Sequence, residues 1–371
     1  MLLGLLAVTL VLLALGIALP KATVLPPAFW AHLILAVGVM SLITAAMQHF
    51  TPVLTRGRLA SGRVAMLPWL MLGAGILASI VLAGLLNWRL LTLAAVLALA
   101  STVVMLGWMG RRARHTLGRP HPGLTWYFGA LVCLALGLGA AAAIPWLPQW
   151  HAELRAFHLH INLYGFIGLT AIGTLQVLMP TVVNRADPGA AQRLRRDFAW
   201  VCAGALLLAI GTALLRPPIV WVGIALWCWP LARLADAWLR LYSREIFTLH
   251  GQAPVLMAAV IGFICALFAI ALAPPTLGGP LGILLPGFLF PLVSGAAGQL
   301  APVWADSQGR RAAQLPGQLR LARYGGARAA LFLCAALLPL LGFRCGGMVG
   351  LIGLGWFLLL FFWWGLRDAS A

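Results

Sequence analysis

Two stretches decide how this chain folds: Phe29–Arg56 (FWAHLILAVGVMSLITAAMQHFTPVLTR) and Phe157–Arg185 (FHLHINLYGFIGLTAIGTLQVLMPTVVNR). A shift of 128 residues superposes His32 on His160, Gln48 on Gln176 and Pro52 on Pro180. The match is anchored on residues that are rare in an apolar segment, so it reads as an internal repeat. A looser third copy, Leu285–Trp304 (LPGFLFPLVSGAAGQLAPVW), puts Gln299 and Pro302 another 123 and 122 residues on and lacks a histidine. The marked helices lie near 28–56, 156–185 and 279–304.

Composition sets the class. At 63% hydrophobic and 9% charged residues, the chain departs from soluble domains, of which roughly a quarter is charged. Runs of about 20 apolar residues span a bilayer core. Twelve are counted, near 1–19, 28–51, 64–86, 90–110, 124–147, 156–180, 197–215, 217–239, 247–273, 279–303, 325–343 and 346–366. The expected fold is an all-α polytopic bundle over 1–371, one integral membrane domain of three four-helix pseudo-repeats. The first run lacks a basic leader and a small-x-small cleavage site, so it is read as the first span. Short linkers leave no room for a soluble redox or nucleotide domain.

A net charge of +18 would suit nucleic acid in a soluble protein. In a membrane chain basic residues first report topology, and no nucleic-acid partner is expected. Twenty of them fall in alternate loops and the C-terminal end: Arg56, Arg58, Arg63, Arg111, Arg112, Arg114, Arg119, Arg185, Arg193, Arg195, Arg196, Arg233, Arg240, Arg244, Arg310, Arg311, Arg320, Arg323, Arg328 and Arg367. Only Lys21, Arg89, Arg155, Arg216 and Arg344 occupy the other side. The alternation predicts both termini in the cytoplasm, in a bacterial-type inner membrane.

Polar residues are costly in a bilayer and mark function where they gather. The second span carries His32, Ser41, Thr44, Gln48 and His49, and the sixth carries His158, His160, Asn162, Tyr164, Thr170, Thr174 and Gln176. All seven acids fall in loops or at helix ends, which argues against a proton pump or cation-coupled carrier. Both spans enter from the outer side. His32 and His160 therefore sit near the outer face, and Gln48, His49 and Gln176 about 24 Å deeper at 1.5 Å per residue. His250 and Gln299 join that inner polar layer.

On the sixth span His160 and Tyr164 share one helical face, and His158 and Asn162 nearly the opposite one. Repeat register favours His160 as the inward member. Imidazoles without a carboxylate beside them suit neutral ligation of haem iron or copper. A b-type haem between His32 and either His160 or His158 is the sharper expectation. His151, His158 and His160 are an alternative copper set, and His49 with His250 a second site. The Gln-x-x-x-Pro endings suit helix termination, with Gln bonding carbonyls freed by Pro. The sixteen Trp read as an interfacial belt, and the cysteines, without CxxC spacing, as packing residues.

With twelve spans, three four-helix units, a histidine near the outer end of the second span and His160-Ile-Asn-Leu-Tyr164 on the sixth, the chain resembles the catalytic subunit of haem-copper oxidases and nitric oxide reductases. The resemblance implies His32 as a haem ligand, His160 as a copper or haem ligand and Tyr164 as its neighbour. It also implies redox partner subunits, in the membrane or the periplasm, to deliver electrons. The chain departs from that family at its seventh and tenth spans, which hold none of the histidines used there for copper and two haems. The expected function is haem or copper binding near the outer face in electron transfer, redox or gas sensing. A scaffold or assembly subunit of a respiratory complex and a small-solute permease are the alternatives.

Overall fold

The computed structural model describes residues 1–57, 62–272, 278–306 and 310–368; Arg58, one of the loop cations, lies outside them. Every regular element among the described residues is helical. In order they are α1 (Leu2–Ala18), α2 (Pro27–Leu54), α3 (Gly62–Leu82), α4 (Leu90–Arg114), α5 (Gly123–Trp146), α6 (Pro148–Val182), α7 (Ala190–Ala213), α8 (Pro217–Ile246), α9 (Ala253–Leu272), α10 (Leu281–Ala305), α11 and α12 (Gly346–Leu366). α11 is a bent pair, Gln314–Leu321 and Gly325–Leu340, with 46° between its halves.

Ten of these helices are long and apolar enough to cross a membrane, and α11 makes an eleventh if its halves form one span. α1 is apolar but only 17 residues long. Apolar side chains also point outward: Leu93, Val96, Leu97, Val103 and Val104 on α4, and Leu359, Phe362 and Leu366 on α12, are exposed. Faces of this kind need hydrocarbon around them, because water would penalise so much contiguous apolar area. The chain is a multi-pass helical membrane protein.

Its contacts gather into two units. The first holds Met1–Ala22, Val177–Asp187 and Leu231–Ala371, in which α9 packs on α10 and α11, and α12 on α11 and α1. The second holds Thr23–Gln176 and Pro188–Pro230, in which α2 packs on α3, α3 on α4, α4 on α5, α5 on α6 and α6 on α7.

Three helices widen into π-helical turns, at Leu33–Met40 in α2, Ile161–Ile167 in α6 and Leu284–Leu289 in α10. These begin 128 and 123 residues apart, the offsets that relate Gln48, Gln176 and Gln299. Each is met by close small-residue packing. A Cβ on Gly75 of α3 would lie 2.7 Å from the Ala36 carbonyl carbon, and one on Gly262 of α9 would lie 1.7 Å from the Gly287 oxygen. One on Gly165 would lie 2.7 Å from the Cys133 Cβ of α5. π-turns in membrane helices interrupt the regular ladder and are frequent at functional sites.

α2 and α6 also end alike. Arg56 and Asn184 take left-handed φ values of 49° and 51°. The following N–H groups of Gly57 and Arg185 donate back to the Pro52 and Pro180 carbonyls at 2.9 and 3.1 Å. That six-to-one bond is the Schellman stop. The prolines thus sit in the last turn and supply its acceptor.

Candidate functional site: the imidazoles of α2 and α6

The unit Thr23–Gln176 plus Pro188–Pro230 brings His32 of α2 beside His158 of α6. Their ring centroids lie 6.0 Å apart with planes 5° from parallel. His160 does not share this contact. It is buried on the other face of α6, its ring 6.2 Å from that of the fully buried Tyr164 and 14° from parallel with it. The helical-wheel expectation that His158 and His160 diverge holds, and His158 is the one that reaches His32. His32 and His160 occupy equivalent positions in register, so each repeats the same local geometry instead of meeting the other.

That local geometry sets the tautomers of His32 and His160. His32 Nδ1 lies 2.8 Å from the Ala28 carbonyl oxygen, and His160 Nδ1 lies 2.8 Å from that of Ala156, each one helical turn back. His158 Nδ1 lies 2.8 Å from the Gly137 carbonyl oxygen of α5. A carbonyl can only accept, so the neutral rings of His32 and His160 carry the proton on Nδ1 and keep the lone pair on Nε2; His158 Nδ1 faces the Gly137 carbonyl at 2.8 Å and the Asn162 amide nitrogen at 3.2 Å, and takes the same tautomer when it donates to the carbonyl. Metal-bound imidazoles are commonly oriented this way, by donation from the second nitrogen to a backbone carbonyl.

Asn162 completes the arrangement around His158. Its Nδ2 donates to the His158 carbonyl at 2.7 Å, which sets the amide orientation, since the flipped amide would face oxygen to oxygen. Its Oδ1 is buried without a hydrogen-bond partner. Asn162 fits only because Gly137 has no side chain: a Cβ there would come within 2.4 Å of Asn162 Nδ2. His32 and His158 are half-buried.

The donor set fits a metal held by two imidazoles. Neutral imidazole nitrogen is a donor that haem iron and copper both accept, and His32 and His158 would hold such a group from two neighbouring helices. It does not form the three-histidine copper set. His151 is exposed, its ring 6.3 Å from that of Trp88, and is separated from His158 by two turns, about 10 Å along α6. No cluster of three or more His, Cys, Asp or Glu suited to a metal occurs among the described residues.

The residues expected to form a second polar layer make other contacts. Gln48 donates to the Val64 carbonyl at the start of α3, not to a carbonyl freed by Pro52. Gln176 is buried with its Oε1 unpartnered. The ring of His49 stands edge-on to Phe50 at 5.2 Å. In the other unit, the Gln299 carbonyl accepts from Gln318 Nε2 at 3.1 Å, and His250 Nδ1 accepts from the Tyr324 N–H at 3.0 Å. A neutral His250 therefore holds its proton on Nε2, the reverse of His32 and His160 and unsuited to ligation through that atom.

Gly137 of α5 is not among the residues singled out from the sequence; nothing in a lone glycine of an apolar span marks the carbonyl that faces His158. Hydropathy also began the sixth span at 156, whereas α6 starts at Pro148 and carries His151. The chain matches no family model, no curated protein and no solved structure.

Proposed function

We propose that the chain is a haem-copper-oxidase-like membrane protein that holds a redox cofactor near the outer face of a bacterial-type inner membrane. The cofactor is a b-type haem in the first instance, or a copper ion, held by His32 and His158. The observation that carries this reading is the parallel imidazole pair, with both Nδ1 atoms facing backbone carbonyls, whose donation to them leaves both Nε2 lone pairs available. Such a group supplies one-electron chemistry when bound. The chain's own part is to fix the ring planes and tautomers through Ala28 and Gly137, and to surround the site with apolar helix faces that exclude water.

The architecture proposed with it is twelve spans in three four-helix pseudo-repeats, with both termini cytoplasmic. The shared offsets of the π-turns and the matching ends of α2 and α6 support the repeats; charge alternation supports the orientation. With the seventh and tenth spans free of histidine, electron transfer or gas sensing with partner redox subunits is favoured over oxygen turnover. A scaffold or assembly subunit is the second reading. It is favoured by the contacts Gln48–Val64 and Gln318–Gln299, which tie helices together.

Purification of the full chain, followed by absorption spectroscopy and metal analysis, tests the proposal. A Soret band or stoichiometric copper is expected, lost in His32→Ala and in His158→Ala and kept in His160→Leu. A colourless, metal-free preparation that copurifies with a larger complex selects the scaffold.

A further inference from the structure

The unit containing α9–α12 holds a cation that the site on α2 and α6 does not use. Arg328, in the first turn of the Gly325–Leu340 half of α11, is 0% exposed. The alternation of loop charges placed it among solvated topology residues; the structure buries it. Nη2 donates to the Leu321 carbonyl at 2.9 Å and reaches Gln252 Oε1 only at 3.5 Å. The face of the guanidinium lies 4.9 Å from the Phe357 ring centroid. Nε and Nη1 have no hydrogen-bond partner, and no carboxylate among the described residues touches the group. Gln252 Nε2 also donates to the Leu321 carbonyl, at 3.0 Å, which sets the orientation of its amide.

The surplus extends beyond one side chain. Ser294 of α10 is fully buried and its Oγ lacks a partner. It lies one turn before Gly298, whose added Cβ would fall 1.8 Å from Gln252 Nε2, so both face α9. A guanidinium does not shed its proton in a protein. Left without a counter-charge in the interior it is strongly unfavourable, and an ionisable group within a membrane bundle marks a functional site by default. A water molecule would fill the empty hydrogen bonds and leave the charge uncompensated; an anion answers both.

We infer that this unit binds a small monovalent anion at the break in α11, with Arg328 Nε and Nη1 as its donors. Size is limited by the packing, because Phe332 and Phe357, like Arg328, are fully buried. Halide, nitrate and formate are of the right scale, and a lipid headgroup is not. The break in the helix adjoins the guanidinium. Leu321 ends one half of the helix, Tyr324 holds a left-handed φ of 53°, and the second half starts at Gly325.

The test is thermal unfolding of the purified full-length chain in detergent at constant ionic strength. Gluconate, too large for the site, is replaced stepwise by chloride, nitrate or formate. The expected result is a saturable rise of the unfolding midpoint with at least one of the three, absent in Arg328→Gln. If Arg328→Gln does not fold, Arg328→Lys keeps the charge but loses the forked donors, and is expected to raise the apparent dissociation constant about tenfold or more. A wild-type midpoint identical in all four salts overturns the inference, as does an Arg328 variant with the wild-type anion response.

Discussion

Gly137→Ala probes the contact that orients His158. The new methyl would stand 2.4 Å from Asn162 Nδ2, 2.9 Å from its Cγ and 3.0 Å from its Oδ1. All three are inside van der Waals contact, so the amide must leave its place over α5 or the helices must separate. Overpacking of this kind costs about 1–3 kcal/mol. Displacing Asn162 also breaks its bond to the His158 carbonyl, worth about 1 kcal/mol. The Gly137 carbonyl that faces His158 Nδ1 shifts with its helix, so the ring loses its fixed plane. Reversible denaturation in mixed micelles is expected to show Gly137→Ala destabilised by about 2–4 kcal/mol. Asn162→Ala alone should cost about 1 kcal/mol. The double variant should be more stable than Gly137→Ala, because removing the amide makes room for the methyl; the coupling in that cycle is the quantity to read. Additive effects, or a Gly137→Ala protein as stable as the parent, would refute the reasoning.

Three further outcomes follow from other contacts. Gly325→Ala puts a Cβ 1.7 Å from the Gly251 carbonyl oxygen; since a backbone atom cannot swing aside, the variant is expected to lose about 3 kcal/mol or more and to fail to accumulate in membranes, measured by fluorescence-detected size exclusion. Gly298→Ala is expected to displace the Gln252 side chain and destabilise by about 1–3 kcal/mol, with Gln252→Ala restoring the loss in the same denaturation assay. His121, in the loop before α5, accepts from the Gly123 N–H at 3.1 Å, and burial, then the nearby Arg195 charge, lower its pKa. A depressed imidazole pKa gives stability that is complete above the unfolded value near 6.5 and is lost as pH falls below it. Wild-type stability should therefore decline on acidification from pH 7.5 more steeply than that of His121→Asn, which caps the helix without titrating; parallel curves would exclude the contribution.

The all-helical, multi-pass character could be read from the chain, because hydropathy is local and additive. The boundaries that moved have local causes too. α7 begins at Ala190 and takes Arg193, Arg195, Arg196 and Asp197 into its first turns, since charges end a hydrophobic run without ending a helix. The eleventh predicted span gains a preceding half-helix across a left-handed Tyr324, a conformation that no residue pattern announces. At the candidate site, His32, His158, Asn162 and the opposed faces of α6 were all visible as rare polar residues at helical spacing. Which of His158 and His160 meets His32 was left open, because repeat register pairs equivalent positions while contact joins non-equivalent ones. Arg328 was misread for a similar reason: a cation beside a loop looks solvated until the chain folds over it.

The most direct test of the central claim is the low-temperature electron paramagnetic resonance spectrum of the oxidised, purified full-length protein. Two imidazoles held within 5° of parallel predict an ordinary rhombic low-spin ferric signal, lost when either His32 or His158 becomes alanine. A high-spin signal alone, or a spectrum with neither haem nor copper, would contradict the account.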